Sequence, residues 1–212
     1  MEKLIFTLFL SFLLGTASYS QSKTKIACIG DSITEGPGRE NPASFPLQLD
    51  EILGSTYEVK NFGVSGRTLL KKGDFPFWEE PQFEEAKAFA ADIVLIKLGT
   101  NDTKPQNWKF KDDFKKDYLD LIQEMKSSMS KNGKIYIVNP VPVFQDNFNI
   151  SARVMDEELR PLLIEIAEEA GIEIMDFYAP LLPYADLFPD GIHPNPEGLT
   201  LMAEALASKI SQ

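Results

Sequence analysis

Five short apolar runs punctuate the chain. They are KIACIG at 25–30, YEVKNF at 57–62, DIVLIKL at 92–98, KIYIVNPV at 134–141 and IEIMDF at 172–177. A strand buried on both faces needs such near-continuous apolar character, and the third and fourth runs show it most clearly. Between those two, Phe110, Phe114, Tyr118, Leu121, Ile122, Met125 and Met129 recur at intervals of three and four, which predicts an amphipathic helix. Leu159, Leu162, Leu163, Ile166, Ala167 and Ala170 predict a second helix closed by Gly171, with Pro161 marking a kink or a fresh start. A third is expected from Pro196 to about residue 210, with Asn195 as its N-cap.

Strands alternating with helices imply right-handed crossovers and a parallel sheet covered on both faces, an α/β fold. Neither a repeat nor a linker divides the chain, so residues 21–212 are expected to form one domain. The longest irregular stretch, 65–80, is rich in Gly, Lys and aromatics, and long loops in compact domains are disproportionately functional.

Residues 1–20 differ in kind. Lys3 supplies a basic start, 4–14 is almost unbroken apolar sequence, and small residues follow before Gln21. That is the pattern of a cleavable signal peptide, too short to span a bilayer comfortably. The expected address is secreted or periplasmic, with no membrane anchor in the mature form. Removing the leader takes away one acid and one base, so the net charge stays at −11. Such a surface repels phosphate backbones, and nucleic acid is excluded as a partner. Cys28, the single cysteine, rules out an intrachain disulfide and lies in an apolar run, where a buried thiol is expected. One histidine and one buried cysteine do not assemble a usual zinc site, so neither metal nor other cofactor is expected.

In an open parallel sheet, reacting groups gather outside the carboxyl ends of the strands. Four clusters stand there: Gly30-Asp31-Ser32-Ile33-Thr34, Asn61-Phe62-Gly63-Val64-Ser65-Gly66, Gly99-Thr100-Asn101-Asp102 and Asp190-Gly191-Ile192-His193-Pro194. A serine hydroxyl attacks only when a base removes its proton, and imidazole suits that task. Ser32 follows a strand end directly, and His193 is the only histidine. Asp190, three residues before it, is placed to hold its tautomer. The backbone N–H groups of Ser32 and Gly63 and the side-chain amide of Asn101 are candidate donors to a tetrahedral oxyanion. Asp31 is read as a brace for the turn and Asp102 as a support for Asn101. Ser65 is a rival nucleophile, but Arg67 stands where a G-x-S-x-G elbow needs its last glycine.

These blocks, GDSIT, the glycine at 63, GTND and DGIHPN, in this order, resemble the SGNH hydrolases (GDSL esterases) over nearly all of the chain after the leader. The resemblance implies a three-layer α/β/α sandwich with a five-stranded parallel sheet, flavodoxin-like in outline. It also implies Ser32 as nucleophile, His193 as base, Asp190 as its orienter, and Gly63 and Asn101 as oxyanion donors. NFGVSGRTLLKKGDFPFW, IKLGTNDTKPQNW and FPDGIHPN are similar to secreted bacterial proteins of the sialate O-acetylesterase-like and acylhydrolase-like groups. A serine esterase is therefore expected, most readily one that removes O-acetyl groups from a carbohydrate such as an acetylated sialic acid or polysaccharide. Its substrate would be a small-molecule or oligosaccharide ester. A lipid acylhydrolase, lysophospholipase or thioesterase is the alternative, since the same residues serve longer acyl chains. In the 65–80 loop, Arg67, Lys71 and Lys72 offer cations for an acidic sugar and Trp78 a ring for stacking, as against plain surface or packing roles for them and Trp108.

Overall fold

In β1 (Thr24–Gly30), successive side chains enter two different cores, Ala27 and Ile29 on one face and Ile26 and Cys28 on the other. This strand lies inside a computed structural model that describes residues 22–211. The leader expected at 1–20 lies outside the described residues. The chain continues through a single turn of helix, α1 (Ser32–Glu35), then α2 (Phe45–Leu53), β2 (Tyr57–Gly63), α3 (Pro81–Phe89) and β3 (Ile93–Lys97). After these come α4 (Pro105–Trp108), α5 (Phe114–Ser128), β4 (Lys134–Asn139), α6 (Ala152–Val154), α7 (Arg160–Ala170), β5 (Glu173–Asp176), α8 (Tyr178–Leu181) and α9 (Pro196–Ile210).

All five strands are parallel, in the order β2-β1-β3-β4-β5. One face is covered by α3, α5 and α7, through Phe83, Phe89, Tyr118, Leu121, Met125, Leu163 and Ile166. The other is covered by α2, α8 and α9, through Phe45, Leu49, Leu181, Leu199, Met202 and Leu206. The expected three layers and five strands are present. Because the chain steps from β1 to β2 and then back past β1 to β3, a crevice opens at the carboxyl ends of β1 and β3.

Differences from the sequence reading have local causes. The run at 134–141 stops pairing at Asn139 because Pro140 and Pro142 have no N–H to give a ladder. The helix expected from 159 starts afresh at Arg160, after a wide π-type turn over Met155–Leu159, and Pro161 occupies its first turn, where the missing N–H costs nothing. The Asn195 side chain caps α9 by accepting from Gly198 N–H at 3.0 Å. Cys28 is buried and unpaired, and burial pushes its thiol pKa up, which leaves it inert. Among the described residues, no helix is long and apolar enough to cross a membrane.

Candidate active site

The turn after β1 is held by its own aspartate. Asp31, fully buried, caps α1 by accepting from Ile33 N–H at 3.0 Å, and Ser32 becomes the first residue of the turn. Its hydroxyl is thereby presented at the crevice, 2.8 Å from Nε2 of His193. The opposite ring nitrogen, Nδ1, is 2.7 Å from Asp190 Oδ2. Asp190 also collects the backbone N–H of His193 at 2.7 Å and of Ile192 at 2.9 Å, which bends the loop so that the imidazole points back at Ser32. Partial burial pushes the Asp190 carboxyl up, but the backbone N–H and ring of His193 and the N–H of Ile192 outweigh it and leave it below the usual carboxylate range. An ionised Asp190 accepts from Nδ1–H, so Nε2 is left as the acceptor for the Ser32 hydroxyl proton. Ser65 borders the same cleft, but the imidazole is bonded to Ser32.

The donors around Ser32 require a correction to the sequence reading. Gly63 N–H is occupied: it donates to Asn61 Oδ1 at 2.9 Å, while Asn61 Nδ2 holds the Thr34 carbonyl at 2.9 Å. A side chain at 63 would collide with the backbone of Glu35 and lie 2.7 Å from the Thr34 carbonyl carbon, so this glycine allows β2 to close against α1. Gly66 is the alternative candidate on the same segment. It has φ +81°, borders open space, and stands between Ser65, which lines the cleft, and Arg67, whose carbonyl accepts from Asn101 Nδ2 at 3.1 Å. Ser32 N–H, Gly66 N–H and the Asn101 amide thus come from the ends of β1, β2 and β3.

A sequence model described as the GDSL-like Lipase/Acylhydrolase family matches residues 28–201. The chain belongs to that family. It is 41% identical over 205 residues to an acetylxylan esterase of Xylanibacter ruminicola, a match that takes in 88% of this chain and 43% of that protein. The chain therefore spans less than half the length of that relative. Among solved structures, the carbohydrate acetylesterase Est24 of Sinorhizobium meliloti superposes with a TM-score of 0.70 at 21% identity, covering 89% of this chain and 99% of Est24. The acetylxylan esterase Axe2 of Geobacillus stearothermophilus gives 0.67 at 24% identity, covering 91% and 96% respectively. At those identities the likeness establishes the fold.

In this GDSL-like chain the 65–80 loop is built as framework, and it does not bring the expected sugar platform to the cleft. Arg67 pairs with Glu80 at 2.6 Å and donates to the Ser65 carbonyl at 2.7 Å, which closes the neck of the loop. Lys71 pairs with Asp120 on α5 at 2.6 Å and lies 4.2 Å from the centre of the Trp78 ring. Trp78 donates to the Leu69 carbonyl at 2.7 Å and packs on Phe83, so its face is covered. Lys72 is paired with Asp113, and Trp108 donates to Glu158. Asp102, buried, reaches past its own turn to accept from Leu69 and Leu70 N–H at 2.9 and 2.7 Å. Burial pushes its carboxyl up to about 7, against those two N–H groups.

Lys97, at the end of β3, escaped the sequence reading. Its ammonium is buried and bonds both oxygens of Asp31, at 3.0 and 3.1 Å, and Thr100 Oγ1 at 2.7 Å. Burial depresses its pKa while Asp31 opposes. The one charged residue in the run DIVLIKL beyond its first position was the available signal, since a buried lysine demands an anion. The cleft itself, about 370 Å³, is bordered by Ser32, Ile33, Pro37, Ser65, His193, Pro194, Pro196 and Leu199.

Proposed function

We propose that this chain is a serine carboxylic-ester hydrolase that removes O-acetyl groups from a carbohydrate, with an acetylated xylan-type polysaccharide as the first substrate to test. The observation that carries the reading is the continuous relay from Ser32 Oγ through His193 to Asp190, with links of 2.8 and 2.7 Å. Similarity to the acetylxylan esterase relative and to the carbohydrate acetylesterase Est24 supports the acetyl-carbohydrate half. Sialic acid has no such support among them.

In this mechanism Ser32 Oγ attacks the acetyl carbonyl carbon as His193 Nε2 takes its proton. The carbonyl oxygen becomes an oxyanion held by Ser32 N–H, Gly66 N–H and Asn101 Nδ2. The tetrahedral intermediate then collapses, breaking the bond to the sugar oxygen, which leaves with the proton from His193. Water, deprotonated by the same imidazole, attacks the acetyl-Ser32 ester. Its collapse returns the proton to Ser32 and releases acetate.

Acetate release from acetylated xylo-oligosaccharides, alongside turnover of acetyl and octanoyl esters of one chromophore, tests the reading. Wild-type protein should release acetate and favour acetyl, and Ser32→Ala should lose both turnover and labelling by a fluorophosphonate. Faster octanoyl turnover would point to the acylhydrolase alternative, and labelling at Ser65 in the variant would overturn the nucleophile.

A further inference from the structure

The segment between β4 and α6 carries an aromatic ring that the fold leaves in solvent beside the imidazole. Phe148 is 56% exposed, and its ring centre lies 5.7 Å from that of His193 at an interplanar angle of 60°. Phe148 and Asn149 both adopt left-handed backbone, with φ of +51° and +63°, a conformation that side-chain-bearing residues rarely take. Such a conformation persists only where the surroundings impose it. Here they do. Asn147 Nδ2 donates to the Asp190 carbonyl at 3.1 Å, Asn147 Oδ1 accepts from Phe148 N–H at 2.9 Å, and Asp146 accepts from Ala152 N–H at 2.8 Å. Ile150 is buried just beyond. The bend is therefore tied to the same loop that carries His193, and it displays a ring in water where an aromatic side chain would ordinarily be packed away.

We propose that Phe148 is a stacking platform for a sugar ring of the polysaccharide substrate, next to the residue being deacetylated. This inference rests on the carbohydrate reading above. His193 must return its proton to the leaving sugar oxygen, so the sugar has to pass the imidazole edge. Phe148 is in edge contact with that imidazole and lies outside the lining of the 370 Å³ cleft. A chain seated at Ser32 thus continues past His193 onto the exposed ring. Its apolar face suits the C–H face of a pyranose, and its fixed backbone keeps the ordering cost of binding low. An enclosing acyl pocket is a poorer fit, because a ring more than half in solvent encloses nothing.

The test compares wild type with Phe148→Ala, Phe148→Leu and Phe148→Trp on acetylated xylo-oligosaccharides and on ethyl acetate, which is too small to reach the ring. The Ala and Leu variants should raise KM for the oligosaccharide about two- to tenfold with kcat little changed, and Trp should retain wild-type KM. All four should hydrolyse ethyl acetate alike. Calorimetric titration of deacetylated xylo-oligosaccharide into Ser32→Ala and Ser32→Ala/Phe148→Ala gives a readout free of turnover, and affinity should fall by the same factor. Unchanged KM and affinity in Phe148→Ala would overturn the platform alone. Equal losses on both esters would overturn it too, by making Phe148 a support for His193. A wild-type enzyme active on ethyl acetate but inert on every acetylated glycan would overturn the carbohydrate reading and the platform together.

Discussion

Replacing Lys97 with methionine isolates what the ion pair beneath the nucleophile contributes. Methionine preserves most of the length and apolar stem of the side chain, so little packing is lost, but the ammonium and its bonds to Asp31 and Thr100 disappear. Asp31 is then left with the cap bond from Ile33 N–H and no cation, in a position that is 0% exposed. Breaking a buried pair on one side costs about 3–5 kcal/mol, most of it from the charge left behind. For a domain of this size each kcal/mol lowers Tm by about 2–4 °C, so a drop of about 6–20 °C is expected. Scanning calorimetry of the single variant, Asp31→Asn and the double variant Lys97→Met/Asp31→Asn measures it. Asparagine keeps a cap oxygen for Ile33 N–H without a charge, so the double variant should recover half or more of the loss. Activity supplies the second readout. Since Asp31 is bonded to Ser32, a displaced turn misaims the hydroxyl, and a misplacement of about 1 Å costs about 10²-fold in rate. The single variant should lose kcat with KM nearly unchanged. A double variant no more stable than Lys97→Met would refute the argument, because the unpaired Asp31 charge would then not be the cause.

Three further outcomes follow from the same geometry. Asn101→Ala should cut kcat about 10²–10³-fold at nearly constant KM, whereas Gly63→Ala should lower Tm by driving its new methyl into the backbone of α1; a Gly63→Ala protein of normal Tm would show that the approach of β2 to α1 does not need a glycine there. The Asp102 carboxyl titrates at about 7 in the fold but at about 3.9 in an unfolded chain, so the folded state holds the proton more tightly. Its contribution to stability is complete below about pH 4 and is lost as pH rises through about 7. Denaturant titrations of wild type and Asp102→Asn across that range should show the decline flattened in the variant, and equal slopes would remove Asp102 as its source.

The sheet and the relay were legible in the sequence because their signals are local. Buried strands declare themselves as apolar runs, and Asp190 and His193 lie on one turn, where three residues of spacing fix their contact. The helix α2 was not found because its buried face is Phe45, Pro46 and Leu49 alone, too few positions to establish a period. The helix α3 shows Phe83, Ala86 and Phe89 among charged residues and opens on a proline. Partners chosen by tertiary contact were beyond reach. Whether Gly63 or Gly66 keeps a free N–H depends on where the Asn61 side chain goes, and the choice between the Trp78 and Phe148 rings depends on which loop is folded inward.

Much charge is sunk beneath a site that works through a hydroxyl, and its role is positional. The loops carrying Ser32, Gly66 and Asn101 leave three separate strands and contribute polar groups, so apolar packing cannot hold them to the fraction of an ångström that an oxyanion demands. Directional bonds can. Asp31 joins the Ser32 turn to β3 through Lys97, and Asp102 joins the 99–103 turn to Leu69 and Leu70 in the loop that follows Gly66. Asn101 doubles that second link by holding the Arg67 carbonyl. Each link ties two of the three donor loops to one another, so a disturbance at any one should move the others. The two carboxyl groups are close enough that Asp31 raises the Asp102 pKa, so the two tethers are electrostatically coupled. Such an arrangement is costly to desolvate and weak as a source of stability, but it fixes positions in a way that methyl groups do not.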